Sequence, residues 1–169
     1  SDAQHRTFRA DVRALIEMDR AIGLFEWVTV SVLTRHLDER FGDPRPHPTQ
    51  YYALGKLGDE VSVLLSCLAR AGTDDEEAAR KAFGLGAGTL PGTGARFLSA
   101  SECSLNRLDA SLTTLRTCSA KLRGDLLRAA GLVAAADRTI TAPEAELVRA
   151  IADTLGVPTP PLLPGQSLV

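Results

Sequence analysis

Apolar side chains recur along this chain at helical spacing. Phe8, Val12, Leu15 and Ile16 fall at offsets of 4, 7 and 8, which predicts a helix over 8–18. Asp19 to Leu24 interrupts that stripe. Val28 to Val32 then alternates with period two and reads locally as a strand, whereas Trp27, Val30, Leu33 and Leu37 fit one helix face. Pro44, Pro46 and Pro48 break the pattern into a loop. Leu54, Leu57, Val61, Leu64, Leu65 and Leu68 form the clearest amphipathic helix. Gly72 ends it, and Thr73-Asp74-Asp75-Glu76 reads as a capping box opening a helix toward Phe83. Residues 84–94 are glycine-rich and read as a mobile linker. Ser99 to Glu102 is a second capping-box match, ahead of a helix carrying Leu105, Leu108, Leu112 and Leu115. Leu122, Leu126, Ala130, Val133 and Ala134 mark a further helix. Thr141-Ala142-Pro143-Glu144 opens the last, with Leu147, Val148, Ile151 and Leu155 on its inner face. Gly156 and Pro158 stop it, and the proline-rich tail beyond reads as extended. The pattern predicts an all-α fold of about seven helices.

Composition supports the helical reading and narrows the function. Leu and Ala dominate, while β-branched and aromatic residues are scarce. The chain has 169 residues, a length at which one domain buries a core without staples. Nineteen Lys and Arg against 21 Asp and Glu leave a formal charge of −2, which excludes a dedicated polyanion binder. Five Phe, two Tyr and one Trp are too few for a base-stacking platform. No run approaches ~18 consecutive apolar residues, so the sequence holds no helical membrane span. Cys67, Cys103 and Cys118 lack any C-x-x-C spacing; each is expected to be a small buried hydrophobe on a helix, in a reducing compartment. The chain opens at Ser1 without an initiator Met and reads as a piece of something longer. Its expected organisation is a disordered start or expression scar over 1–7, a helical domain over 8–156 and a tail over 157–169.

The most informative pattern is a self-match. Asp19-Arg20-Ala21-Ile22-Gly23-Leu24-Phe25-Glu26 recurs, 118 residues on, as Asp137-Arg138-Thr139-Ile140-Thr141-Ala142-Pro143-Glu144. Both read D-R-x-I-x-x-x-E. The correspondence extends outward, from Val12 with Ala130 to Leu37 with Leu155. Each copy is therefore helix, short acidic loop, helix. The match settles Val28 to Val32 as helical, since tertiary context overrides a local β preference. In the structural reading, each Asp accepts backbone N–H bonds in the turn. Ile22 and Ile140 plug the core, and Glu26 and Glu144 sit in a first helical turn where the dipole favours them. The other reading is a divalent-metal or small-ligand site made by Asp19, Glu26, Asp137 and Glu144 if the two loops meet. Against it, a calcium loop needs an oxygen ligand at about every second position, and Arg20 and Arg138 put a cation beside each Asp.

These D-x-x-I-x-x-x-E hairpins resemble the TerB-like, tellurite-resistance-associated helical fold, an orthogonal bundle. Ile22-Gly23-Leu24-Phe25-Glu26-Trp27 and Leu33-Thr34-Arg35-His36-Leu37 are similar to a narrower group. That group is the C-terminal cytosolic domain of bacterial membrane-bound zinc metallopeptidases of the Ste24-like M48 family. Glu144 to Asp153, followed by Pro158-Thr159-Pro160-Pro161-Leu162-Leu163, resembles the end of such proteins. The likeness spans roughly 8–163, with generic helix in its middle. It implies a parent in the bacterial inner membrane with a zinc peptidase domain upstream, and for this chain a cytoplasmic, accessory place. Zinc is implied for that parent alone, because H-E-x-x-H is absent from this sequence. The family usually has Gly after the Asp; Arg20 and Arg138 depart from that and point to a salt-bridged turn.

Direct searches for chemistry return little. His5, His36 and His47 include no i, i+4 pair, so a zincin helix is excluded. Gly84, Gly86, Gly88, Gly92 and Gly94 fit neither dinucleotide nor phosphate-loop spacing. Asp74 to Glu77 reads as a solvated, dipole-favoured first turn, and Trp27 as core. The resulting expectation is a non-catalytic module without its own cofactor. Its partner would be a protein or the parent peptidase domain, with no nucleic acid and no direct membrane insertion.

Overall fold

The computed structural model describes residues 48–137 and 140–158. Five α-helices run through them: α1 Gly58–Gly72, α2 Glu76–Ala87, α3 Leu105–Leu115, α4 Ala120–Ala134 and α5 Ala142–Leu155, with a 3-10 turn at Ala100–Glu102. The described residues are helical and contain no strand; one isolated parallel bridge joins Tyr51 to Cys118. Five helices rather than seven are therefore described. The helix expected over 8–18 and the one carrying Trp27 to Leu37 lie outside the described residues, as does most of the tail.

The helix at the centre is α1. Every residue from Val61 to Ala69 is buried, so α1 is enclosed on all sides rather than amphipathic, with α2, α3 and α4 packed around it. Its polar positions make this possible. The Ser62 hydroxyl donates to the Gly58 carbonyl at 2.5 Å and accepts the Arg96 N–H at 2.8 Å. The Ser66 hydroxyl accepts the Leu98 N–H at 3.0 Å. Two small hydroxyls thus satisfy backbone groups of the segment that returns along the helix, as buried polar atoms require. The expected start at Leu54 is too early. A turn closed by the Leu57 N–H on the Leu54 carbonyl, 2.8 Å, precedes the helix and keeps both leucines buried. Such a turn preserves the i, i+3 spacing, which is why the stripe runs past the helix end.

The 84–94 glycines are not a linker. Gly84 and Gly86 belong to α2, and turns follow it. A Cβ on Gly86 would stand 2.5 Å from Val133 Cγ2 and 2.8 Å from the Ala129 carbonyl oxygen. Glycine there lets α2 and α4 approach at backbone distance. The inner face of α4 is correspondingly small at that level, with Ala129, Ala130 and Ala134 buried beside Val133. Leu147, Val148, Ile151 and Leu155 of α5 are buried as their spacing predicts. Gly156 stops α5 at φ 62°, with the Val157 N–H on the Ala152 carbonyl at 2.9 Å.

Helix starts differ from expectation in two further places. Asp75, not Thr73, caps α2: its carboxylate accepts the Glu77 and Ala78 N–H groups at 2.8 and 3.3 Å. Thr73 instead accepts the Asp75 N–H at 3.1 Å. The Ser99 box closes the 3-10 turn, and Ser104 caps α3.

Candidate functional site

Of the second copy of the repeat, the side chains of Asp137, Ile140, Thr141 and Glu144 are described. Asp137 lies in the turn after α4. Ile140 is 3 % exposed and packs with Ala134, Ala145 and Val148, with Leu127 and Ala135 against them. Glu144 Oε2 accepts both the Thr141 N–H and the Thr141 hydroxyl at 2.8 Å. The Glu144 N–H returns to Thr141 Oγ1 at 3.4 Å, completing a two-way capping box. The other oxygen of Glu144 faces the end of α1, 3.3 Å from where a Cβ on Gly72 would stand. Asp19, Arg20, Ile22 and Glu26 of the first copy, and Arg138 of the second, lie outside the described residues. So do His5, His36, His47 and Trp27. Among the described residues no group of three His, Cys, Asp or Glu side chains stands ready for a metal ion.

Charged and aromatic groups converge instead at the last turn of α1. Arg70 Nε and Nη2 donate to the Leu98 carbonyl at 3.0 and 2.8 Å. Its Nη1 and Nη2 donate to the two oxygens of Glu76 at 2.7 and 3.0 Å. This is the forked geometry a planar guanidinium supplies and a lysine does not. The same guanidinium lies 4.6 Å from the Phe97 ring centroid, and Arg80 lies 4.8 Å from it. Phe83 tilts against that ring at 5.5 Å between centroids. Both cations face the ring within cation–π range. Hydrogen bonding from Arg70 holds the Glu76 carboxyl below its ordinary range, and Glu76 in turn pushes Arg70 further up. The Glu102 carboxyl is likewise held low, first by the Ser99 N–H at 2.9 Å and then by the Ser99 hydroxyl at 2.8 Å.

The cysteines do not share one role. Only Cys67 is on a helix; Cys118 is buried at the bridge beside Tyr51, and Cys103 follows the 3-10 turn half-buried. The Asp74 to Glu77 run is also more than a solvated face, since Asp75 caps α2 and Glu76 clamps Arg70. Sequence reasoning missed this corner because its members are far apart in the chain. The chain matches no family model, no curated protein and no solved structure.

Proposed function

We propose that this chain is a TerB-like helical domain acting as a non-catalytic accessory module. In this reading it is the cytoplasmic C-terminal part of a bacterial, membrane-bound zinc metallopeptidase, and it contacts that enzyme or a protein partner. The observation that carries the reading is the use of the repeated motif in its described copy. Ile140 fills a core position and Glu144 is engaged by its own helix start, so the motif is read as a hairpin lock. No step of chemistry is assigned to residues of this chain, and zinc belongs to the proposed parent.

The competing reading is a divalent-metal or small-ligand domain using Asp19, Glu26, Asp137 and Glu144, of which Glu144 already has one oxygen engaged by Thr141. Calorimetry with calcium, magnesium and zinc separates the two. The accessory reading expects no binding heat. Micromolar binding that disappears in the Asp19→Ala/Asp137→Ala double variant would overturn it. The peptidase link has its own test in the upstream coding sequence: H-E-x-x-H on a helix, with apolar spans, is expected there. An upstream region lacking both would sink the link and leave the helical fold untouched.

A further inference from the structure

Between α2 and α3 the chain is held against α1 by side chains alone. Among the described residues, the backbone–backbone hydrogen bonds of 95–102 stay within the 3-10 turn, where the Glu102 N–H donates to the Ser99 carbonyl and the Cys103 N–H to the Ala100 carbonyl. The ties to α1 are the Ser62 hydroxyl accepting the Arg96 N–H, the Ser66 hydroxyl accepting the Leu98 N–H, and the Arg70 guanidinium donating to the Leu98 carbonyl. Ser62, Ser66 and Arg70 stand at i, i+4 and i+8. Four helical residues advance about 6 Å and two extended residues about 6.6 Å, so one helix face keeps step with alternate groups of an extended chain. Here α1 offers a row of side chains where a sheet would offer a neighbouring strand.

The ends of this segment are held apart from its middle. Before it, Gly92 and Gly94 take φ 78° and 66°, a region glycine enters without strain. Thr93, between them, is buried against the start of α1, where Gly58 leaves no room for a Cβ beside the Thr93 carbonyl. After it, the Ser99–Glu102 box closes on itself, and Arg107 of α3 donates to the Glu102 carbonyl at 2.7 Å. The middle depends on Arg70, whose other edge is forked on Glu76 at 2.7 and 3.0 Å. The Glu76 side chain is 57 % exposed and Leu98 is 1 % exposed. One guanidinium thus joins a surface carboxylate to a buried segment.

We propose that residues 95–102 form a strap that opens from α1 as one unit while the helices stay folded, and that Glu76 latches it through Arg70. Segments tied by a few side-chain bonds belong to the low-stability end of a structure. Glu76 acts as a positioning residue, holding the guanidinium in the plane that presents Nε and Nη2 to Leu98. Without it, Arg70 is free to turn toward water and the Leu98 carbonyl loses both donors. The device gives the exposed start of α2 control over a segment of the core.

Residue-resolved amide hydrogen exchange on the whole chain near neutral pH tests this. The Arg96 and Leu98 N–H groups are expected to share one opening equilibrium, about tenfold or more above that of Leu64 and Leu65 in α1. Ser66→Ala removes the acceptor of Leu98 alone, yet should speed both strap amides. Glu76→Gln should speed both about three- to tenfold, with a smaller change at Leu64 and Leu65. Glu77→Gln removes the same charge from the same first turn and should leave the strap as it was. Should Glu76→Gln not fold, Arg70→Lys makes the same comparison, and the wild-type exchange pattern decides whether the strap opens alone. Strap amides that exchange only together with Leu64 and Leu65, a Ser66→Ala effect confined to Leu98, or equal effects of Glu76→Gln and Glu77→Gln would each overturn the proposal.

Discussion

Replacing Gly86 by Ala tests the closest approach in the core. On a helix, Gly→Ala ordinarily gains about 1 kcal/mol from backbone entropy. At Gly86 the new methyl would stand 2.5 Å from Val133 Cγ2 and 2.8 Å from the Ala129 carbonyl oxygen. Overpacking of this kind costs about 1–3 kcal/mol, so the net expectation is a loss of up to about 2 kcal/mol. Gly124 of α4 is the control, because a Cβ there meets nothing within 4 Å; Gly124→Ala is expected to gain about 0.5–1 kcal/mol. Chemically identical substitutions thus move stability in opposite directions, and at about 2–4 °C per kcal/mol the melting temperatures should separate by several degrees. Urea unfolding of both variants measures the difference. A second step divides the clash between its two sources. In a Val133→Ala background the cost of Gly86→Ala should shrink without vanishing, because the Ala129 carbonyl is backbone and cannot be trimmed. If Gly86→Ala stabilises as much as Gly124→Ala does, the helices do not meet at backbone distance and the reasoning fails.

Ile140→Ala removes the plug of the hairpin and should cost about 3 kcal/mol in chemical denaturation; a loss under about 1 kcal/mol would mean that the cluster around Ala134 and Val148 re-closes. Alkaline stability should depend on Cys67. Its value is raised from 9.0 to about 12, so its contribution is fully present below 9.0 and is lost as pH rises toward about 12, at up to about 1.4 kcal/mol per pH unit. Cys67→Ala should flatten that decline, leaving the smaller share from Cys118, which burial raises in the same direction; an unchanged decline refutes the assignment. Arg70→Lys keeps the charge and loses the fork, so NMR titration should find the Glu76 carboxyl closer to its ordinary range. Glu76 is held low, so its contribution is present above that range and lost as pH falls through the folded value. That acid sensitivity should weaken in Arg70→Lys, and a Glu76 titration identical to wild type would refute the clamp.

Much of the architecture was legible because burial imposes a period. Leu108, Leu112 and Leu115, like Leu147, Val148, Ile151 and Leu155, are buried where their spacing placed them. The Thr141 box and the Gly156 stop were also readable, since capping chemistry acts between near neighbours in the chain. Periodicity failed where a second constraint acted. Ser62 and Ser66 interrupt the apolar stripe of α1 and look like its wet side, yet they are buried, with the backbone of Arg96 and Leu98 against them. The glycines of 84–94 looked mobile because composition does not distinguish a glycine chosen for freedom from one chosen for absence of a side chain. Gly86 is the latter. Capping boxes were ambiguous where two acceptors compete: Thr73 and Asp75 are both good caps, and the carboxylate at Asp75 takes the helix while Thr73 serves the turn before it.

The corner around Arg70 was illegible for a different reason: its members come from α1, α2, the extended return and the 3-10 turn. What assembles them is the enclosed character of α1. Arg70, at the end of its buried run, donates to Leu98 and Glu76, which fixes the return segment and the start of α2 together. The N-terminus of α5, whose dipole has the opposite sign, comes to the same end of α1 through Glu144 beside Gly72.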